Sequence, residues 1–174
     1  MIDLRSYIRN IPDFPKKGIV FRDITTLLIE PRALSHALDL MQDFCEGKKI
    51  DRILAIESRG FIFGGALADR MGIPFVPVRK AGKLPGKTVK HDYDLEYGSA
   101  SIEIHEDALR KGDSVLIVDD LIATGGTLEA TCKLVEQIGG TVAGIATLID
   151  LSFLPWREKL GDYEILSLIS YDSE

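Results

Sequence analysis

The chain is poor in cysteine: it has two, Cys45 and Cys132, each alone in a segment that reads as helix. Without paired spacing they form neither a disulfide framework nor a metal site, and two core thiols fit a reducing, cytoplasmic setting. His36, His91 and His105 also lack metal-ligand spacing and read as surface or structural side chains. No apolar run reaches the roughly 18 residues a membrane span needs, so no membrane partner is expected. Met1 to Asn10 carries Asp3, Arg5 and Arg9 and no long apolar run, which reads as neither signal peptide nor anchor. Positive charge is scarce as well. Lys and Arg total 21 against 27 Asp and Glu, and the net charge of -6 argues against broad nucleic-acid binding. Internal repeats, low-complexity segments and any Ser–His–Asp or Cys–His arrangement are missing too.

What remains is an ordinary globular balance, 45% hydrophobic and 28% charged over 174 residues, enough for one domain with a sizeable core. Leu4, Tyr7, Ile8 and Ile11 are spaced as one face of a short N-terminal helix, followed by a loop at Pro12-Asp13-Phe14-Pro15. A second helix is expected from Pro31 to Cys45, with Leu34, Leu38 and Met41 facing inward. From Arg52 the pattern changes to strands alternating with helices. Strands are expected at 52–56, 74–78, 99–105, 114–118, 142–149 and 165–169, and helices at 61–71 and 126–138, the latter stopped by Gly139-Gly140. That alternation means an α/β fold with a central, mainly parallel sheet flanked by helices. Residues 80–98 show little periodicity and read as a long irregular loop.

The strongest chemical signal is Val115-Leu-Ile-Val-Asp-Asp-Leu-Ile-Ala-Thr-Gly-Gly-Thr127. Four apolar residues feed Asp119 and Asp120 at the carboxyl end of a strand, where open α/β sheets bind ligands. The turn Ala123-Thr124-Gly125-Gly126-Thr127 then opens a helix. Small residues let backbone N–H groups approach an anion, the helix N-terminus adds a favourable field, and Thr124 and Thr127 add hydroxyls. Carboxylates accept hydrogen bonds from sugar hydroxyls or hold a hydrated cation. A ribose bearing a 5′-phosphate satisfies both halves. The lysine of a P-loop is missing, which argues against a nucleoside triphosphatase.

This segment resembles the phosphoribosyl pyrophosphate motif of the type I phosphoribosyltransferases. Phe21-Arg22-Asp23-Ile24, Glu57-Ser58-Arg59-Gly60-Phe61, Arg79-Lys80-Ala81-Gly82-Lys83-Leu84-Pro85-Gly86 and Leu95-Glu96-Tyr97-Gly98 extend the likeness over nearly the whole chain, to the adenine branch of that family. The resemblance implies the type I fold: an N-terminal hood at 1–32, a core at 33–174 and a flexible lid at 80–98. It implies purine salvage, with adenine and phosphoribosyl pyrophosphate as substrates and AMP as product. Asp119 and Asp120 would hold the ribose hydroxyls, and Ala123, Thr124, Gly125, Gly126 and Thr127 the 5′-phosphate. Ser58, Arg59, Arg79, Lys80 and Lys83 would take the pyrophosphate, Arg59 through a fork of donors suited to phosphate oxygens. Val20, Phe21, Arg22 and Leu121 would contact adenine, the backbone reading its edge and the side chains packing its faces. Glu96 would help protonate the base, and Tyr97 would close with the lid. Mg²⁺ would be held mainly by substrate oxygens and water rather than by the protein alone. The same likeness implies a homodimer in which Arg79 reaches across to the partner's pyrophosphate. Enzymes of the family acting on hypoxanthine or guanine carry an aspartate where Ala123 stands, so a 6-oxopurine is disfavoured. A xanthine- or guanine-type transferase, and a phosphoribosyl pyrophosphate-binding regulator, stand as alternatives. A regulator would usually add a DNA-binding segment or basic face, and neither is visible.

Overall fold

A computed structural model describes residues 2–94 and 98–173. The N-terminal helix expected up to Ile11 is a 3-10 turn at Leu4–Tyr7, started by the Asp3 carboxylate accepting from Arg5 N. The chain then extends into β1 (Arg9–Ile11), which pairs antiparallel with β2 (Phe21–Asp23). Leu4 and Ile8 are buried as a helix face would be, but the ladder to β2 claims the backbone after Ile8. A short helix that the spacing did not announce, α1 (Thr25–Leu28), leads into α2 (Pro31–Phe44), with proline in its first turn and Ala33, Ala37, Leu38 and Met41 buried.

The main sheet has seven strands in the order β5-β6-β4-β3-β7-β8-β9. Its parallel part is β4 (Phe75–Lys80), β3 (Arg52–Ile56), β7 (Ser114–Ile122), β8 (Thr141–Leu151) and β9 (Ile165–Tyr171). Helix α3 (Gly60–Met71) follows β3, and α4 (Gly126–Ile138) follows β7. A further short helix, α5 (Arg157–Leu160), lies between β8 and β9.

In β7, Leu116 and Val118 point into one core with α2, α3 and the hood. Val115 and Ile117 point into the other, with α4 and the residues around α5. A strand covered on both faces reads as a continuous apolar run, which is why it stood out in the sequence. Helix α3 packs so closely on β3 that a Cβ on Gly64 would collide with the Ala55 Cβ.

The stretch at 80–98, read above as irregular, holds a strand that the pattern did not announce. Its β5 (Thr88–Asp94) pairs antiparallel with β6 (Ser99–His105), and β6 pairs antiparallel with β4. The strand escaped notice because it is an edge, and its Lys90, His91 and Asp92 give it the charged character that protects edges. Leu95, Glu96 and Tyr97 lie outside the described residues.

Candidate active site

Strand β7 runs on through Asp119 and Asp120 to Ile122, four residues beyond the expected stop at Val118, so the acids belong to the strand itself. The ladder to β8 continues with Asp119 opposite Thr147 and Leu121 opposite Ile149. The turn that follows is forced by Gly125, whose φ of 78° is left-handed and whose absent Cβ would stand 3.2 Å from the Trp156 Cβ. As the N-cap of α4, Gly125 offers no side chain to the first-turn amides. Those amides remain for an anion, and with Ala123, Thr124 and Thr127 they line a hollow of about 100 Å³.

At the end of β3 the Glu57–Ser58 peptide is cis. Arg59 caps α3 and sends its Nε to 2.8 Å from Asp120 Oδ2. The N–H is not aligned on that oxygen, so the contact is an ion pair rather than a directed hydrogen bond. The guanidinium also lies over the Phe21 ring, 5.2 Å from its centre. Glu57 accepts from Arg79 Nε at 2.9 Å and from Lys80 N at 2.8 Å. Arg79 Nη1 reaches the Lys83 carbonyl at 3.2 Å, within the same chain. Glu57, Ser58, Arg59, Arg79, Lys80, Tyr93, Asp119, Asp120, Leu121 and Thr127 thus converge on one cavity of about 320 Å³ at the carboxyl ends of the parallel strands.

Charge in this cavity is unevenly held. Burial pushes the Asp119 carboxyl well above the ordinary aspartate range, the neighbouring Asp120 charge adds to the rise, and Asp120 N donating to Asp119 Oδ1 at 2.8 Å opposes it only in part. Asp120 is raised by burial too, although the Arg59 guanidinium pulls the other way. Glu57 moves in the opposite direction. Burial alone would lift it, but the Lys80 amide and the Arg79 guanidinium together hold it below its usual value. A cleft with two acids that resist ionising, beside cations that are partly spoken for, is suited to a ligand bringing both hydroxyls and anionic groups.

The remaining predicted residues divide. Phe21 stacks edge-on against Phe14 at 5.2 Å and lines an apolar hollow of about 460 Å³ with Ile24, Leu28, Arg59 and Ile62. Leu121 lines both the main cavity and the hollow at the Ala123–Thr127 turn. The Arg22 side chain turns away from them: it bonds Asn10 Oδ1 at 2.8 Å and the Ser173 carbonyl at 3.0 Å, and its guanidinium covers the Tyr171 ring, tying the hood to β9. Only its backbone remains available to a base. Val20 lies just before β2, and neither it nor the exposed Lys83 is part of the lining of the main cavity. Glu96 and Tyr97 fall outside the described residues.

Sequence reasoning missed four residues. Glu57 was quoted only as part of a motif, yet its carboxylate fixes Arg79 and the root of the 81–87 loop. Gly60 sits so close to β7 that a Cβ there would meet Asp119 Oδ1 at 2.9 Å. Glu103, 1% exposed on β6, accepts from Lys83 N and Leu84 N, both at 2.9 Å, and from Thr88 Oγ1 at 3.1 Å. The Tyr93 and Thr127 hydroxyls are 3.1 Å apart, so the β5 hairpin touches the turn that opens α4. Alternation in 99–105 did announce a half-exposed strand, but nothing in it marked Glu103 as its buried acid.

Comparison with known proteins follows the same lines. Residues 23–169 match the phosphoribosyl transferase domain family. An adenine phosphoribosyltransferase of Natranaerobius thermophilus is 55% identical over 165 residues, covering 95% of this chain and 96% of the relative. The crystal structure of adenine phosphoribosyltransferase from Thermoanaerobacter pseudethanolicus superposes with a TM-score of 0.93 at 52% identity, covering 97% of this chain and 98% of that one. The enzyme from Saccharomyces cerevisiae, solved with an imino-altritol bisphosphate and adenine, gives 0.90 at 41% identity over 95% and 96% of the two chains.

Proposed function

The chain belongs to the phosphoribosyl transferase family, in its adenine phosphoribosyltransferase branch, and from that premise we propose how its residues divide the reaction. The enzyme is a pentosyltransferase that joins adenine to phosphoribosyl pyrophosphate, forming AMP and pyrophosphate in purine salvage. Purine N9 bonds to ribose C1 as the bond from C1 to pyrophosphate oxygen breaks, so positive charge develops at the sugar while negative charge leaves. Little covalent work falls to the protein, and catalysis rests on positioning and charge stabilisation.

The observation that carries the residue assignment is the cavity of the Arg59–Asp120 pair adjoining the hollow of the Ala123–Thr127 turn, with Asp119, Leu121 and Thr127 lining both. Asp119 and Asp120 accept from the ribose hydroxyls, the turn grips the 5′-phosphate, and Ser58, Arg59, Lys80 and Lys83 meet the pyrophosphate. Phe21 and Leu121 flank adenine, with the backbone at Val20 and Arg22 on its edge. The hairpin around β5, rooted through Glu103, acts as the lid, and closing it excludes water from a centre that water would otherwise hydrolyse. Glu96 and Tyr97 take the lid roles that the family motif assigns.

Among the described residues no three metal-ligating side chains converge. The hard oxygen donors of Asp119 and Asp120 suit Mg²⁺, which would share the charge of the leaving pyrophosphate while held mainly by substrate oxygens and water. Among the described residues no helix is long and apolar enough to cross a membrane. A cytoplasmic location fits the two buried free thiols.

Incubation with Mg²⁺, phosphoribosyl pyrophosphate and each base in turn tests the specificity. AMP should form readily, with little or no IMP, GMP or orotidylate, because Ala123 supplies no carboxylate near a 6-oxopurine N7. Faster turnover of hypoxanthine than of adenine would overturn the base assignment.

The assembly completing this site is a homodimer. Ile62 and Phe75 are 40% and 37% exposed, apolar side chains that a partner copy would cover, and Phe75 lies on the strand that ends at Arg79 and Lys80. A C2 interface presents such a patch to its own copy and places Arg79 near both sites, where the partner's pyrophosphate would draw it from Glu57. Mixing Arg79→Ala with Asp120→Asn subunits, each impaired alone, should raise activity well above that of either variant, since one site of the mixed dimer keeps both residues. A mixture no more active than the average of the two variants would put Arg79 in its own subunit's site, and a monomer by sedimentation would remove the proposal.

A further inference from the structure

The Ala123–Thr127 turn offers a phosphate dianion amides and hydroxyls but has no cation of its own. The structure brings one from elsewhere in the chain. Helix α5 lies against the turn, with Trp156 Cβ and Leu160 Cδ1 standing 3.2 and 3.3 Å from where a Cβ on Gly125 would be. Trp156 and Leu160 are 2% and 0% exposed, so the short helix is fixed on both sides of Lys159. Lys159 itself is exposed, and its Nζ lies 3.8 Å from the Cβ position of Gly126, the first residue of α4. The Tyr93 ring approaches the same point to 3.7 Å and walls it off on the lid side. Arg157, the other cation of α5, is engaged over the Trp156 ring at 4.2 Å. Among the described residues Lys159 forms no salt bridge, and Glu129, the acid in the first turn of α4, forms none with it.

We propose that Lys159 is a phosphate-binding residue, the cation of the 5′-phosphate subsite, reaching the anion over Gly126 as the Tyr93 side of the lid closes. The proposal rests on the reading of Ala123–Thr127 as the 5′-phosphate cradle. It requires glycine at 126 for a reason beyond the turn: a side chain there would stand between ammonium and phosphate. A point charge on a flexible stem suits this place, since the amides already fix the phosphate's orientation and the cation need only neutralise it.

Lys159→Met and Lys159→Arg test the assignment, with the affinities of AMP and of pyrophosphate measured separately by calorimetry and KM for phosphoribosyl pyrophosphate by kinetics. In the Met variant, AMP binding and that KM should weaken by about tenfold, since a charge-assisted bond at a half-open site is lost. Pyrophosphate affinity and the unfolding midpoint should hold, and Arg should restore AMP binding to within about threefold. AMP affinity within about twofold of the parent in the Met variant would overturn the proposal, as would an equal loss for pyrophosphate, which would signal only a general field. Failure of the parent protein to bind AMP would instead overturn the reading of the cradle, and the proposal with it.

Discussion

Asp119→Asn and Asp120→Asn are each expected to lower kcat/KM for phosphoribosyl pyrophosphate by roughly 10- to 150-fold, the equivalent of one lost charged hydrogen bond of about 1.5–3 kcal/mol. The fold should survive both changes, and for Asp119 it should gain. Both carboxyls are pushed above their ordinary values by burial, Asp119 more strongly because Asp120 stands beside it. A raised carboxyl binds its proton more tightly in the folded chain than in the unfolded one. Its contribution to stability is therefore fully present at low pH, below the unfolded value, and is lost as pH rises through the folded value. At neutral pH the native pair opposes folding, and an asparagine at 119 relieves that opposition while still offering an oxygen to Asp120 N. The Asp119→Asn protein should accordingly melt no lower than the parent near pH 7, with its advantage shrinking toward pH 4. At Asp120 the gain is offset by loss of the Arg59 ion pair, so its melting point is the less informative of the two. Kinetics at limiting phosphoribosyl pyrophosphate, together with melting curves across pH, check both halves. Full activity in both variants would reject the ribose role, and a collapse of stability would show that the acids serve the fold instead.

What the sequence disclosed follows from how locally each signal is written. The run Val115–Val118 is apolar because both sheet faces are covered, and the acids and glycine turn follow without interruption, so the strand and the turn that we propose as the phosphate cradle were legible together. The N-terminal segment failed for the opposite reason. Leu4 and Ile8 are buried at helical spacing, but their backbone is decided by pairing with β2, a partner the local pattern does not contain. Strand β5 was hidden by its role as an edge, where burial is partial and charge is protective. Three of the four overlooked site residues share a cause as well. Glu57 and Glu103 matter through the backbone amides and cations they gather from the 79–90 segment, and Gly60 through a strand nearly 60 positions away. None of these relations leaves a periodic trace in one chain.

Gly60→Ala makes that last relation measurable. Nothing in the backbone of Gly60 demands glycine, for its φ is not positive, and within a helix alanine is favoured over glycine by about 1 kcal/mol. What forbids a methyl group is β7. A Cβ at this position would meet Asp119 Oδ1 at 2.9 Å, the Val118 carbonyl oxygen at 3.0 Å and Asp119 Cα at 3.1 Å. Two of these atoms belong to the backbone of a strand hydrogen-bonded on both sides, which cannot yield far. The displacement must fall either on the Asp119 carboxylate or on the start of α3, where the preceding residue is Arg59. In the proposed division of the reaction, both must stand in register with the sugar and its leaving group. A shift near 1 Å in such a site lowers turnover by about 100-fold, which is the loss expected here. Gly65, on the same helix, is the control: a Cβ there meets nothing within 4 Å, so Gly65→Ala should keep activity and raise the melting point. The comparison separates helix propensity from the result, because the gain at Gly65, inside the helix, is at least that at Gly60, its first residue. If Gly60→Ala turned over adenine within about threefold of Gly65→Ala, the close approach of α3 to β7 would be packing alone, with no part in setting the positions of Arg59 and Asp119.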